Sequence, residues 1–141
     1  MIGILIVTHG ALGESLIACA NHVLGGAPAQ TAALAVNSQD DPNIMLPKAQ
    51  ALVAELNSGD GVLVLSDMYG ATPCNIVTKL IQPGIVAGVA GISLPMLVRA
   101  MTYRQQPLAV VVEKAISGGR EGVVQFTGQQ CERYEPEPSN Q

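Results

Sequence analysis

The sequence predicts an α/β fold: a three-layer, doubly wound, mainly parallel four-stranded sheet in the order 2-1-3-4, with helices on both faces. Three observations carry this. Apolar runs of strand length alternate with segments of helical periodicity, each segment ends at glycine, proline or a capping residue, and the apolar content is aliphatic. Hydrophobic residues make up 48% of the 141 positions but aromatics only 3%, with no Trp and one Phe. A core of Ala, Val, Leu and Ile suits strands buried on both faces. The length predicts one domain, over residues 1–127, followed by a polar, acidic, flexible tail over 128–141.

Taken in order, residues 2–8 are a nearly continuous, β-branched apolar run and form the first strand. Leu12, Leu16, Ile17, Ala20, Val23 and Leu24 then recur at helical spacing until Gly25-Gly26 and Pro28. Residues 32–36 form a second strand. Asp40-Asp41-Pro42 caps a second helix with the stripe Met45, Ala49, Leu52, Val53 and Leu56. Pro47 interrupts it, so the regular helix is expected to begin only there. Residues 61–66 are a third apolar strand, and Thr72-Pro73 opens a third helix carrying Ile76, Val77, Leu80 and Ile81. After a Pro83-Gly84 turn, residues 85–89 form the fourth strand. Ser93-Leu94-Pro95 starts a fourth helix, and Pro107 a fifth that is expected to end at Gly118-Gly119. Residues 121–126 read as a short last strand.

Composition excludes several classes. A net charge of −4 and a near absence of aromatics leave neither a basic footprint nor a stacking platform for nucleic acid. Mean hydropathy is +0.33, yet no apolar run approaches the roughly 18 residues of a spanning helix. The N-terminus lacks a basic segment and cleavage site, and Cys19, Cys74 and Cys131 are odd in number and scattered. Reduced thiols in a cytoplasmic protein are expected. With two histidines and no clustered carboxylates, neither a metal nor another cofactor is expected.

Ligands of open parallel sheets bind at the carboxyl ends of the strands. Two ionisable residues stand at such ends, His9 in Thr8-His9-Gly10 and Asp67 in Ser66-Asp67-Met68-Tyr69-Gly70. A carboxylate that accepts the proton of one ring nitrogen leaves the other with a lone pair, as nucleophile, base or ligand. Gly70-Ala71-Thr72-Pro73 adds a loop of small residues running into a helix start, with Thr72 as expected N-cap. The amides and dipole there favour an anion such as phosphate. Each residue alone is also an ordinary loop or cap residue; the signal is their joint placement on one rim. His22 and Cys74 read as structural, Cys19 as core-facing, and Arg99, Arg104 and Arg120 as a solvated face.

Four blocks, ILIVTHGALGESL, GVLVLSDMYGATPCNIV, IVAGVAGISLPMLVRAM and GGREGVVQF, carry a resemblance to the mannose-type (mannose/fructose/sorbose) enzyme IIA family of the phosphoenolpyruvate-dependent sugar phosphotransferase system. It covers roughly residues 2–126. The resemblance implies a phosphotransferase component in which His9 accepts a phosphoryl group on Nε2 from the phosphocarrier HPr and passes it to an enzyme IIB. It implies that Asp67 orients the ring through Nδ1, and that Thr72 with the loop at Met68, Gly70 and Ala71 holds the phosphate. It implies a homodimer in which residues 121–126 are exchanged between protomers. Contact with the membrane is expected only indirectly, through a permease complex. Docking of HPr is expected on Leu12, Met68, Tyr69, Leu94 and Met96. Two positions depart from the family pattern: Ala71, where a glycine is common, and Cys74, where an aromatic is common. No IIB-like domain follows, so a freestanding IIA protein is expected.

Other readings of the rim remain beside this one. A histidine phosphatase or mutase also places His-Gly after a first strand but needs an Arg before it, where Thr8 stands, and a second catalytic histidine. A tetrapyrrole metal chelatase shares the early His-Gly and needs a further site histidine or acid. A regulatory module would use phosphorylation of His9 only to switch partner affinity, with no transported sugar.

Overall fold

The computed structural model describes residues 1–26 and 29–128. The elements are β1 (Gly3–His9), α1 (Leu12–Leu24), β2 (Thr31–Val36), α2 (Pro42–Leu56), β3 (Val62–Ser66), α3 (Thr72–Leu80), β4 (Val86–Ala90), α4 (Leu94–Thr102) and α5 (Leu108–Glu121). The strands form one parallel sheet in the order β2-β1-β3-β4. The expected tail beyond Gly128, with Cys131, and Pro28 lie outside the described residues.

Side chains of the two central strands alternate between two cores, because successive residues of a strand face opposite ways. Ile4, Ile6, Leu63 and Leu65 pack with Leu97, Val98, Val111 and Ala115 of α4 and α5. Leu5, Val7, Val62 and Val64 pack with Met45, Ala49, Ile76 and Val77 of α2 and α3. That double burial is why β1 and β3 are apolar without alternation. Each fully buried Val, Leu or Ile contributes roughly 1.5–3 kcal/mol, so these two strands supply a large share of the apolar stabilisation, with the helices that cover them supplying the rest.

Helix boundaries depart from expectation at one proline and at one glycine pair. α2 runs unbroken from Pro42 through Pro47. Pro47 and Asn43 are both exposed, so the Asn43 carbonyl that Pro47 leaves without its helical partner faces water, which lowers the penalty of an internal proline. α5 likewise continues through Gly118-Gly119 to Glu121. A Cβ at Gly118 would lie 2.9 Å from Arg99 Cβ and 3.1 Å from the Pro95 carbonyl oxygen. The glycine pair is therefore not a stop signal but the place where α5 approaches α4. Residues 123–127 have no regular structure in the single chain, and Val123, Val124 and Phe126 are 84%, 63% and 76% exposed. In α1, Cys19 is exposed rather than core-facing, and Val23 and Leu24 are also exposed, because only Gly13 and Ala20 of this helix are fully buried.

Arg104 is the largest correction. It is buried, not part of a solvated face. Its Nε and Nη2 donate to the Ile2 carbonyl at 3.0 and 2.8 Å, and Nη2 also donates to the Gln30 carbonyl at 2.8 Å. Nη1 donates to the Ala29 carbonyl at 2.7 Å and Thr31 Oγ1 at 3.2 Å. The Arg104 carbonyl in turn accepts the Ile2 N–H at 2.9 Å. Burial lowers its pKa from the ordinary guanidinium value, and the group remains charged. Its fork joins the chain after α4 to the entries of β1 and β2, at the end of the sheet opposite the strand carboxyl ends. Arg99 is also engaged, with Ser117 Oγ at 3.3 Å and with Glu121.

Arg104→Met keeps the length of the side chain but leaves three carbonyls short of a donor. It is expected to lower unfolding free energy by about 2–4 kcal/mol in denaturant titration. Arg104→Lys should recover only part of the loss, since one ammonium cannot reproduce the fork.

Candidate functional site

The site follows from strand pairing. β1 and β3 are parallel neighbours with Val7 opposite Ser66, so His9 and Asp67 leave the sheet side by side. Asp67 Oδ2 accepts from both the backbone N–H of His9, at 3.0 Å, and its ring Nδ1, at 2.8 Å. Oδ1 accepts the Met68 N–H at 3.0 Å. An ionised carboxylate only accepts, so the shared proton resides on Nδ1 and Nε2 keeps its lone pair. The Asp67 side chain is 10% exposed and that of His9 is 53% exposed. The arrangement therefore buries the orienting group and presents the ring.

Burial by itself would raise the Asp67 carboxyl pKa. The hydrogen bonds from the His9 ring, the His9 backbone and the adjoining backbone outweigh it, and the net shift is downward from 3.8. Asp67 is thus ionised throughout the neutral range, which is the form that fixes the imidazole tautomer.

After Asp67 the chain turns through Gly70, whose φ of +83° favours glycine. The N-cap of α3 is Ala71, not Thr72: the Ala71 carbonyl accepts the Asn75 N–H at 3.0 Å, and Thr72 and Pro73 are the first two helical residues. The reason is that Ala71 holds the extended conformation of a cap, with φ −96° and ψ 174°. No side-chain cap hydrogen bond closes this helix start, and amides of a first turn face out along the axis. Leu12, Met68 and Tyr69 are 45%, 60% and 88% exposed, whereas Leu94 is half-buried. Met96 is 4% exposed and packs in the core beneath α5, where it also lines, with Tyr69 and Gly119, the groove beside β4. Cys74 is buried and His22 is exposed. No cluster of three potential metal ligands occurs among the described residues, and none of their helices is long and apolar enough to cross a membrane. The sequence reading missed Thr8, whose buried hydroxyl accepts the Gly13 N–H at 2.9 Å; its only sequence signal is a hydroxyl in an otherwise apolar strand.

The depressed Asp67 pKa has a sign that can be checked. Its stabilising effect is present above the ordinary carboxyl value and is lost as pH falls through the lower folded value. Wild type should therefore lose more stability than Asp67→Asn between about pH 4 and pH 2, measured as the difference of their denaturant midpoints. Equal loss in both proteins contradicts the clamp.

Comparison with known proteins gives a consistent picture. The family model EIIA-man, the PTS system fructose IIA component, matches residues 3–116. The mannose-specific EIIAB component of Escherichia coli K12 is 28% identical over 141 residues, covering 98% of this chain and 43% of the relative; the Shigella flexneri protein of that name matches equally. The chain thus spans less than half the length of these curated relatives. The EIIA phosphotransferase component of Streptococcus agalactiae superposes with a TM-score of 0.80 at 25% identity, covering 90% of this chain and 98% of that one. The mannose/sorbose-specific IIA subunit of Enterococcus faecalis, at 23% identity, shares the fold with a TM-score of 0.79 over 89% and 94% of the two chains. The match runs from the first strand into the last helix and takes in both His9 and Asp67, and the chain belongs to the EIIA-man family of phosphotransferase-system IIA components.

Proposed function

We propose that this protein is a cytoplasmic phosphoryl carrier: His9 takes a phosphoryl group from phospho-HPr and delivers it to an enzyme IIB. The observation that supports this most is the clamp of Asp67 on Nδ1 beneath a half-exposed ring. It leaves Nε2 as the nucleophile. In the forward step the Nε2 lone pair attacks phosphorus, the N–P bond of the donor phosphohistidine breaks, and its electron pair returns to the donor ring. Delivery to IIB repeats the displacement with His9 as leaving group. His9 keeps its Nδ1 proton throughout, and Asp67 balances the charge that develops on the ring.

Such transfers depend on alignment and on donors aimed at the equatorial oxygens. Thr72, with the amides at Met68, Gly70 and Ala71, is proposed to supply them, assisted by the dipole of α3. HPr is proposed to rest on Leu12, Met68 and Tyr69, with Leu94 at the margin. A contact of that kind is small, as a carrier that must dissociate every cycle requires.

A homodimer is part of the same proposal. β4 is an edge strand, and an edge invites pairing. Beside it runs a groove lined by Gly88, Ala90, Ile116, Gly119 and Val123. The exposed apolar residues Val123, Val124 and Phe126 suit an exchange of residues 121–126 between protomers.

Incubation with phosphoenolpyruvate, enzyme I and HPr should place an acid-labile phosphate on the wild-type chain and none on His9→Ala. Asp67→Asn should slow the transfer by about 100-fold while the circular dichroism spectrum stays native. Phosphate on His9→Ala, or an unchanged rate for Asp67→Asn, rejects the assignment. Transfer onward to a IIB separates a carrier from a regulatory module, which would retain its phosphate. For the dimer, Val124→Asp with Phe126→Asp should halve the mass seen by light scattering; an unaltered mass means that the segment is not the interface.

A further inference from the structure

Thr8 precedes His9 and is completely buried. Its Oγ1 accepts the N–H of Gly13 at 2.9 Å in a buried bond. Gly13 is the second residue of α1, and the N-cap position of that helix is held by Ala11, which has no side-chain bond to give. Thr8 therefore caps α1 from within the strand. The turn between them, His9-Gly10-Ala11, is closed at both ends, and it is tied to β2 by the Gly10 N–H, which donates to the Val36 carbonyl at 3.1 Å.

The helix start is pressed against the sheet. A Cβ on Gly13 would lie 3.0 Å from Ile6 Cγ2, 3.2 Å from Ala33 Cβ and 3.3 Å from Thr8 Oγ1. An amide in such a place has no route to water without movement of the turn. His9 is thus held from two directions, by Asp67 from β3 and by the Thr8–Gly13 bond from its own strand and the following helix.

We infer that Thr8 is a positioning residue for His9: its buried hydroxyl fixes the β1–α1 turn so that the ring meets Asp67 with Nε2 outward. This rests on the phosphoryl-carrier reading above. Without the acceptor, the Gly13 amide seeks another partner and the turn shifts. The reacting nitrogen shifts with it, although Asp67 is untouched.

Thr8→Val keeps the branched shape and deletes the acceptor, whereas Thr8→Ser keeps the acceptor and deletes a methyl group. In single-turnover transfer from phospho-HPr, Thr8→Val should lower the maximal rate by about tenfold or more with the half-saturating donor concentration unchanged. Thr8→Ser should stay near wild type, an order that a purely packing role would reverse. The downfield proton resonance of His9 Nδ1–H should broaden in Thr8→Val and persist in Thr8→Ser. A folded Thr8→Val with wild-type rate and resonance overturns the inference. Should Thr8→Val not fold, hydrogen exchange on wild type decides: the Gly13 amide should be protected like the amides of β1, and exchange as fast as at Ala11 overturns the inference. If wild type acquires no phosphate on His9, the carrier reading fails, while the resonance and exchange measurements still judge Thr8.

Discussion

One carboxylate oxygen, Asp67 Oδ2, grips His9 twice, by its backbone N–H and by its ring Nδ1. That grip is possible only because β1 and β3 are adjacent and parallel, in a register that brings their carboxyl ends level. The pairing exists because both strands are buried on two faces between α1, α4 and α5 on one side and α2 and α3 on the other. The hydrophobic sandwich sets the register, the register sets the carboxylate, and the carboxylate sets the tautomer. A one-residue slip of β3 would carry Asp67 to the opposite face of the sheet and break the chain at its second step.

The two ends of the sheet divide the polar chemistry. At the amino ends, Arg104 spends its donors on main-chain carbonyls and closes that end. At the carboxyl ends, donors and acceptors remain for a ligand: a half-exposed imidazole, an uncapped helix start and a turn rich in small residues. The buried cation is therefore a structural group in spite of its charge, and the exposed histidine is the group proposed to react.

Local signals in the sequence told most of the fold. Two-sided apolar runs revealed every strand of the sheet, and Asp41-Pro42 and Ser93-Leu94-Pro95 marked helix starts that the structure keeps, with Asp41 and Ser93 each accepting a cap hydrogen bond. Two of the departures depend on neighbours distant in the chain. Gly118-Gly119 resembles a helix stop until Pro95 and Arg99 are seen packed against it. Arg104 resembles a surface charge until the carbonyls of Ile2, Ala29 and Gln30 converge on it from far along the chain. Of the rim, His9 and Asp67 were legible because each follows a recognisable strand. The Thr8–Gly13 bond was not, because it joins a strand interior to a helix that lacks a cap residue of its own.

Asp67 occupies Nδ1 of His9, and the proposed phosphoryl chemistry at Nε2 depends on that occupation. The most direct measurement is nuclear magnetic resonance of the phosphorylated protein with ¹⁵N-labelled imidazoles, reading which ring nitrogen of His9 couples to phosphorus. Coupling to Nε2, with Nδ1 still carrying its proton, is the predicted result. Coupling to Nδ1, or a phosphorus signal that couples to no nitrogen of His9, would contradict it.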